Sequence, residues 1–264
     1  MGEIIQANGI AINYKLEGPA DSPVLMFSNS LASNLHMWDG QAAAFSSEYR
    51  ILRADTRGHG KTEATSPPYS IQQLLEDALG LLDALNIEKV HFCGLSLGGM
   101  IGQRFGAFNG DRLQSLTICD TTSQMRDPSI WDDRIRAAKD KGMGGIRSAT
   151  VNRWFTEAFV AAGKPILDKI GAMIETTKLD GFVGCCEAIK IMDQVDILGD
   201  IKTPTLIING KQDISTTVEA AQFLNDNITD SKLLVLDPAA HLSNVEQEDA
   251  FNTALRAHLD TNPA

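Results

Sequence analysis

Cys93-Gly94-Leu95-Ser96-Leu97-Gly98-Gly99 sets a serine between two glycines at the junction of a strand-like run and a helix-like one. The run before it, Lys89-Val90-His91-Phe92-Cys93, reads as a short buried strand, and Met100-Ile101-Gly102-Gln103-Arg104-Phe105 continues as a helix. This is the G-x-S-x-G pattern of a nucleophile elbow, a tight strand-to-helix turn that lifts a serine hydroxyl above a sheet. Small neighbours let the backbone fold back so sharply. The Leu97 N–H, at the start of the helix, is then placed to meet negative charge developing on a substrate oxygen.

Working outward, strand-like and helix-like segments alternate through the first half, the pattern of an α/β protein with a mostly parallel sheet. The start is antiparallel: Glu3-Ile4-Ile5-Gln6 and Ile10 to Leu16 flank Asn8-Gly9, a strong hairpin signal. Buried strands follow at Pro23 to Phe27 and Tyr49 to Ala54, and Ile71 to Leu85 carries apolar residues at helical spacing behind the cap Ser70. Leu113 to Cys119 is the next strand, and there the alternation stops.

Residues 121–200 read instead as several helices, broken at Gly142, Gly144-Gly145, Gly163-Lys164-Pro165 and Gly181. Strands return at Thr205 to Asn209 and Lys232 to Leu236. The expected organisation is a core of residues 1–120 and 201–264 with a helical cap, 121–200, inserted over the serine. No internal repeat or low-complexity segment interrupts it.

The 264 residues suit one enzyme-sized unit, and 43% hydrophobic with 22% charged is globular composition. A net charge of -11 argues against nucleic-acid partners and anionic membranes. The first residues lack the basic and apolar regions of a signal peptide, and no stretch approaches a membrane span, so a cytoplasmic protein is expected. The four cysteines, Cys93, Cys119, Cys185 and Cys186, follow no metal spacing and read as buried reduced thiols. No dinucleotide fingerprint appears, so no cofactor and no metal is expected. Oligomeric state is not legible.

A serine hydroxyl needs a base, and the base an orienting acid, following the elbow in the order Ser, Asp or Glu, His. Downstream of Ser96 the histidines are His241, in a loop after a strand, and His258, inside a terminal helix where a surface role is expected. His241 is the candidate base. Asp213, after the strand Leu206 to Ile208, is the candidate acid, with Asp120 as its competitor; Asp237 reads as a turn residue. The second oxyanion donor is expected from the loop Ser28 to Asn34, at the Leu31 N–H, beside that of Leu97. His59, between glycines in Asp55-Thr56-Arg57-Gly58-His59-Gly60, lacks metal-ligand company, and the segment reads as a structural loop with Asp55 and Arg57 paired.

These residues resemble the α/β-hydrolase fold along the whole chain, and within it the 3-oxoadipate enol-lactonases of bacterial aromatic-acid degradation. The resemblance is carried by Phe27 to Leu31, Leu35-His36-Met37-Trp38-Asp39 with Gln41, Asp55 to Gly60 and Cys93 to Gln103. Arg153-Trp154-Phe155-Thr156, Cys186 with Ala188-Ile189 and Met192-Asp193, and Ala240 to Asn244 with Glu246-Gln247 complete it. Gly40 stands where the family usually has proline, and Asp213 to Thr217 lacks the Thr-Pro that commonly follows the acid. The resemblance implies a mostly parallel eight-stranded sheet flanked by helices, with an inserted cap. It further implies hydrolysis of a small carboxylated lactone through an acyl-enzyme by Ser96, His241 and Asp213.

Such a substrate is anionic. Residues 121–200 hold 11 Lys+Arg against 12 Asp+Glu and the remainder 12 against 22, so the cap repels it least. Arg134 near Trp131 and Arg153 beside Trp154 are candidate substrate contacts. A broader carboxylesterase, a carbon–carbon bond hydrolase and a non-catalytic ligand-binding relative are the alternatives on the same fold.

Overall fold

The computed structural model describes residues 2–263. Eight strands, β1 Glu3–Ala7, β2 Ile10–Glu17, β3 Val24–Ser28, β4 Arg50–Ala54, β5 Val90–Leu95, β6 Leu113–Cys119, β7 Thr205–Gly210 and β8 Ser231–Leu236, form one sheet in the order β1-β2-β4-β3-β5-β6-β7-β8. β1 and β2 are antiparallel to each other, and β2 to β4; every other pairing is parallel. The hairpin forms because Asn8 (φ 46°) and Gly9 (φ 75°) both take the left-handed conformation that a two-residue turn between twisted strands requires.

The helices are α1 Asp39–Phe45, α2 Ile71–Ala84, α3 Leu97–Phe108, α4 Ser129–Trp154, α5 Glu157–Ala161, α6 Pro165–Thr176, α7 Leu179–Lys190, α8 Val218–Asn227, α9 Ser243–Glu246 and α10 Glu248–Asp260. Ser70 caps α2 as the sequence suggests, its hydroxyl accepting from the Gln73 N–H. α3 packs on β5 and β6, and Phe92 of β5 meets Phe105 of α3 edge to face at 5.4 Å. Trp38, fully buried, stacks on Phe27 of β3 and tilts against Phe251 of α10.

Between β6 and β7 the chain leaves the sheet for α4 to α7, with α6 and α7 packed on α4. Gly142 (φ 69°, ψ 172°) breaks α4 into two helical halves. Its backbone is open only to glycine, which is why the chain can turn there. Gly163 ends the segment after α5, and Pro165 opens α6. Gly181 does not break a helix: it lies inside α7, pressed against Gly58, where an added Cβ would come within 2.4 Å of the Gly58 carbonyl oxygen.

Two further expectations are corrected. Asp55 and Arg57 are not partners. Arg57 pairs with Asp77 of α2, its Nε donating at 2.8 Å, while Asp55 accepts from Asn13 Nδ2 and from the Leu35 and Lys61 N–H groups. The loop orients the two side chains to opposite neighbours, which one-dimensional spacing does not reveal. His258 is half-buried rather than a surface group, its Nε2 3.2 Å from the Leu116 carbonyl oxygen, because α10 lies against the sheet. All four cysteines are buried and unpaired. No helix of the described residues is long and apolar enough to cross a membrane.

Candidate active site

Ser96 joins β5 to α3 with φ 56° and ψ −111°, a strained conformation that costs about 1–3 kcal/mol and persists only if its surroundings hold it. They do. The Ser96 N–H donates to the Cys119 carbonyl at 2.8 Å, and the Ser96 carbonyl accepts from Thr121 Oγ1 at 2.8 Å and from the Met100 N–H at 3.0 Å. Gly98 is required by close approach, since a Cβ there would lie 2.3 Å from the Ser28 carbonyl oxygen. The turn thereby seats α3 directly against the end of β3.

His241 follows β8 and is buried; its Nδ1 lies 2.7 Å from Asp213 Oδ2. Asp213 also accepts from the Ser215 and Thr216 N–H groups at Oδ1 and from Thr216 Oγ1 at 2.6 Å. Those donors fix the orientation of the carboxyl group against the imidazole. With Nδ1–H directed at it, His241 keeps its Nε2 lone pair for the cavity. Thr216 was missed by sequence reasoning; the signal available was a hydroxyl three residues after the acid. The Ser96 hydroxyl makes no hydrogen bond to His241 in this structure, and both side chains border one cavity of about 410 Å³. Such contacts tighten when substrate binds.

The competing carboxyls are occupied elsewhere. Asp120 is wholly buried, accepting from the Gly210 N–H at 2.8 Å and from Ser243 Oγ at 2.5 Å. Burial and then the charge of Asp213 push its carboxyl well above the usual range. Asp237 accepts from Lys211 Nζ and Gln212 Nε2, closing a turn.

The loop after β3 is held atom by atom. Asn29 Nδ2 donates to the Ala54 carbonyl, the Asn29 carbonyl accepts from the Gly98 N–H, and the Ala32 N–H donates to His59 Nε2 at 2.9 Å. His59 Nδ1 in turn faces the Arg57 carbonyl, an acceptor only, so its tautomer is set. Burial pushes its pKa down and keeps the ring neutral. His59 is therefore a brace for the Ser30-Leu31-Ala32 loop. Among the described residues neither the Leu31 nor the Leu97 N–H donates to another protein group. Leu31 borders the cavity, and Leu97 begins the helix beside Ser96.

The opposite wall comes from α4. Trp131 and Arg134 on its first half and Ile146, Thr150 and Arg153 on its second line the cavity, each set at helical spacing, and Trp154 joins them. Arg134 stacks its guanidinium 4.3 Å over the Trp131 ring. Burial and then the charge of Arg153 lower its pKa to about 10, and burial lowers that of Arg153. Among the described residues neither arginine meets a carboxylate, and the buried Trp131 Nε1–H has no acceptor. Both arginines thus border the cavity without a carboxylate partner. Among the described residues no cluster of three His, Cys, Asp or Glu side chains could hold a metal ion.

A family model for the α/β hydrolase fold matches residues 23–158. The chain is 38% identical to 3-oxoadipate enol-lactonase 2 of Acinetobacter baylyi over 97% of this chain and 95% of that one. With 3-oxoadipate enol-lactonase 1 of the same organism it shares 35% identity over 94% and 92%. The crystal structure of the enol-lactonase from Burkholderia xenovorans superposes with a TM-score of 0.95 at 36% identity, covering 98% of this chain and 100% of that one.

Proposed function

This chain belongs to the α/β-hydrolase family, and we propose that it hydrolyses 3-oxoadipate enol-lactone to 3-oxoadipate with Ser96 as nucleophile, His241 as base and Asp213 as its orienting acid. One juxtaposition carries this: the strained serine and His241, itself held by Asp213, open on the same cavity as two half-buried arginines that meet no carboxylate. A lactone bearing a carboxylate supplies an electrophile to the first group and an anion to the second. Helices α4 to α7 act as the cap that carries the anion site. Four unpaired thiols favour a reducing, cytoplasmic setting.

His241 Nε2 takes the hydroxyl proton as Ser96 Oγ bonds to the lactone carbonyl carbon. The Leu31 and Leu97 N–H groups receive the oxyanion, and Asp213 steadies the imidazolium. The ring C–O bond then breaks. The departing enol oxygen takes the proton from His241, and tautomerisation to the ketone makes reclosure unfavourable. A water deprotonated by His241 attacks the acyl ester, and Ser96 leaves with that proton.

The test is loss of ultraviolet absorbance from enzymatically generated enol-lactone, with wild type and Ser96→Ala side by side. Wild type turns it over, and the variant falls by about ten-thousand-fold or more in kcat. A wild type that spares the lactone yet cleaves simple aryl esters overturns the lactonase assignment and leaves a broader esterase.

A further inference from the structure

Two sequence segments touch through a side chain that the mechanism leaves unused. Glu246, partly buried at the end of α9, accepts from the Thr156 N–H and hydroxyl on one side and from the Ala240 N–H, at 3.0 Å, on the other. Ala240 precedes His241. Thr156 follows the end of α4, two residues beyond Trp154. The same junction is tied a second time: the Leu242 N–H donates to the Trp154 carbonyl at 3.0 Å, satisfying one of the helix's terminal acceptors. One carboxylate and one backbone bond therefore connect the residues flanking the histidine to the end of the helix that bears Arg153.

We propose that Glu246 is a positioning residue that sets the distance between the anion-binding end of α4 and His241, and so aligns a carboxylated substrate with Ser96. This rests on the anion-site assignment above. The two sides of the junction are not held equally. The histidine loop has other anchors: His241 on Asp213, Gln212 N–H on the Ala239 carbonyl, the Ala239 N–H on Gln212 Oε1, and Ser243 on Asp120. The end of α4 meets that loop through Glu246 and the Leu242 bond. Loosening Glu246 therefore moves Arg153 and Trp154 more than it moves His241. Gln in place of Glu retains the shape but sets an NH2 against the backbone N–H of Thr156 or of Ala240, neither of which can accept, so the clamp opens without a change of volume.

The experiment compares para-nitrophenyl hydrogen succinate, which ends in a carboxylate, with para-nitrophenyl acetate, which does not, on wild type, Glu246→Gln, Arg153→Met and the double variant. In Glu246→Gln the KM for the succinate ester rises by about tenfold, the loss of one charge-assisted contact, with kcat changed far less. KM for the acetate ester moves by under about threefold, and the double variant is no worse than Arg153→Met alone, because both act through one contact. Thr156→Val, which removes the partner hydroxyl, shifts KM the same way and covers the case in which Glu246→Gln does not fold. Equal KM changes for both esters, or additive effects in the double variant, overturn the positioning role. A wild type that ignores the terminal carboxylate, preferring neither ester, overturns the anion-site assignment instead.

Discussion

At the scale of single residues, two buried aspartates lie within the field of one another and face different partners. Asp213 is surrounded by donors and faces His241; Asp120 is wholly buried, and burial and then the charge of Asp213 push its carboxyl up, toward the neutral form. Asn mimics a neutral carboxyl but cannot stand in for a charged one. We therefore expect Asp213→Asn to cut kcat by about ten-thousand-fold, by presenting His241 with the wrong hydrogen-bonding partner, and Asp120→Asn to stay within about threefold of wild type. Turnover by both variants on one substrate checks it; a reversed order makes Asp120 the acid. The sequence put Asp213 after a strand, but Asp120 stood in an equivalent place, and only the direction of each carboxyl separates them.

At the scale of elements, the kink in α4 brings together the two arginines of the proposed anion site. Arg134 and Arg153 stand 19 positions apart in the chain, which on one straight helix is about 28 Å, too far for both to line a single cavity of this size. They do line it, because Gly142 folds the second half back toward the first. Nothing lies within 4 Å of a Cβ built at Gly142, so space is not the restriction; the backbone angle is. Gly142→Ala is expected to cost about 1–3 kcal/mol of stability and to raise KM for the carboxylated lactone more than it lowers kcat. Thermal melts and steady-state kinetics check both. Strands were legible because buried parallel strands are continuous apolar runs bounded by turns. The breaks at Gly142 and Gly163 were legible too, whereas Gly144-Gly145 and Gly181 misled: the pair continues α4 as helix, and the small size of Gly181 serves a contact with Gly58 that lies far away in sequence.

At the scale of the molecule, folding encloses imidazoles that must be neutral. His91, buried in β5 against Ser115 and Tyr49, has its pKa lowered from 6.5 to about 4 by burial and then by the charge of His258. The unfolded chain takes this proton near pH 6.5 and the folded chain only near 4. Its contribution to stability is thus fully present above pH 6.5 and is lost as the pH falls through about 4, by at most about 1.4 kcal/mol per pH unit. His59 and His258, also shifted down by burial, act in the same direction. Urea unfolding from pH 7 to pH 4 should show stability falling, and His91→Asn should flatten that slope; an unchanged slope in the variant means the imidazole does not carry it.

The sequence by itself determined the sheet, its antiparallel start, the position of the elbow and the candidate Ser96, Asp213 and His241, because each depends on local periodicity, a turn conformation or a small-residue requirement written within a few positions. Pairings across the chain were beyond it. Arg57 chose Asp77 over Asp55, burial and then Asp213 pushed the Asp120 carboxyl up, His59 became the brace of the Ser30-Leu31-Ala32 loop, and Glu246 bridged the end of α4 to the histidine loop. Each of these depends on which groups face one another once water is excluded. A polar atom left buried without a partner is costly whatever its neighbours in sequence, so the partner is set by the packing of distant elements.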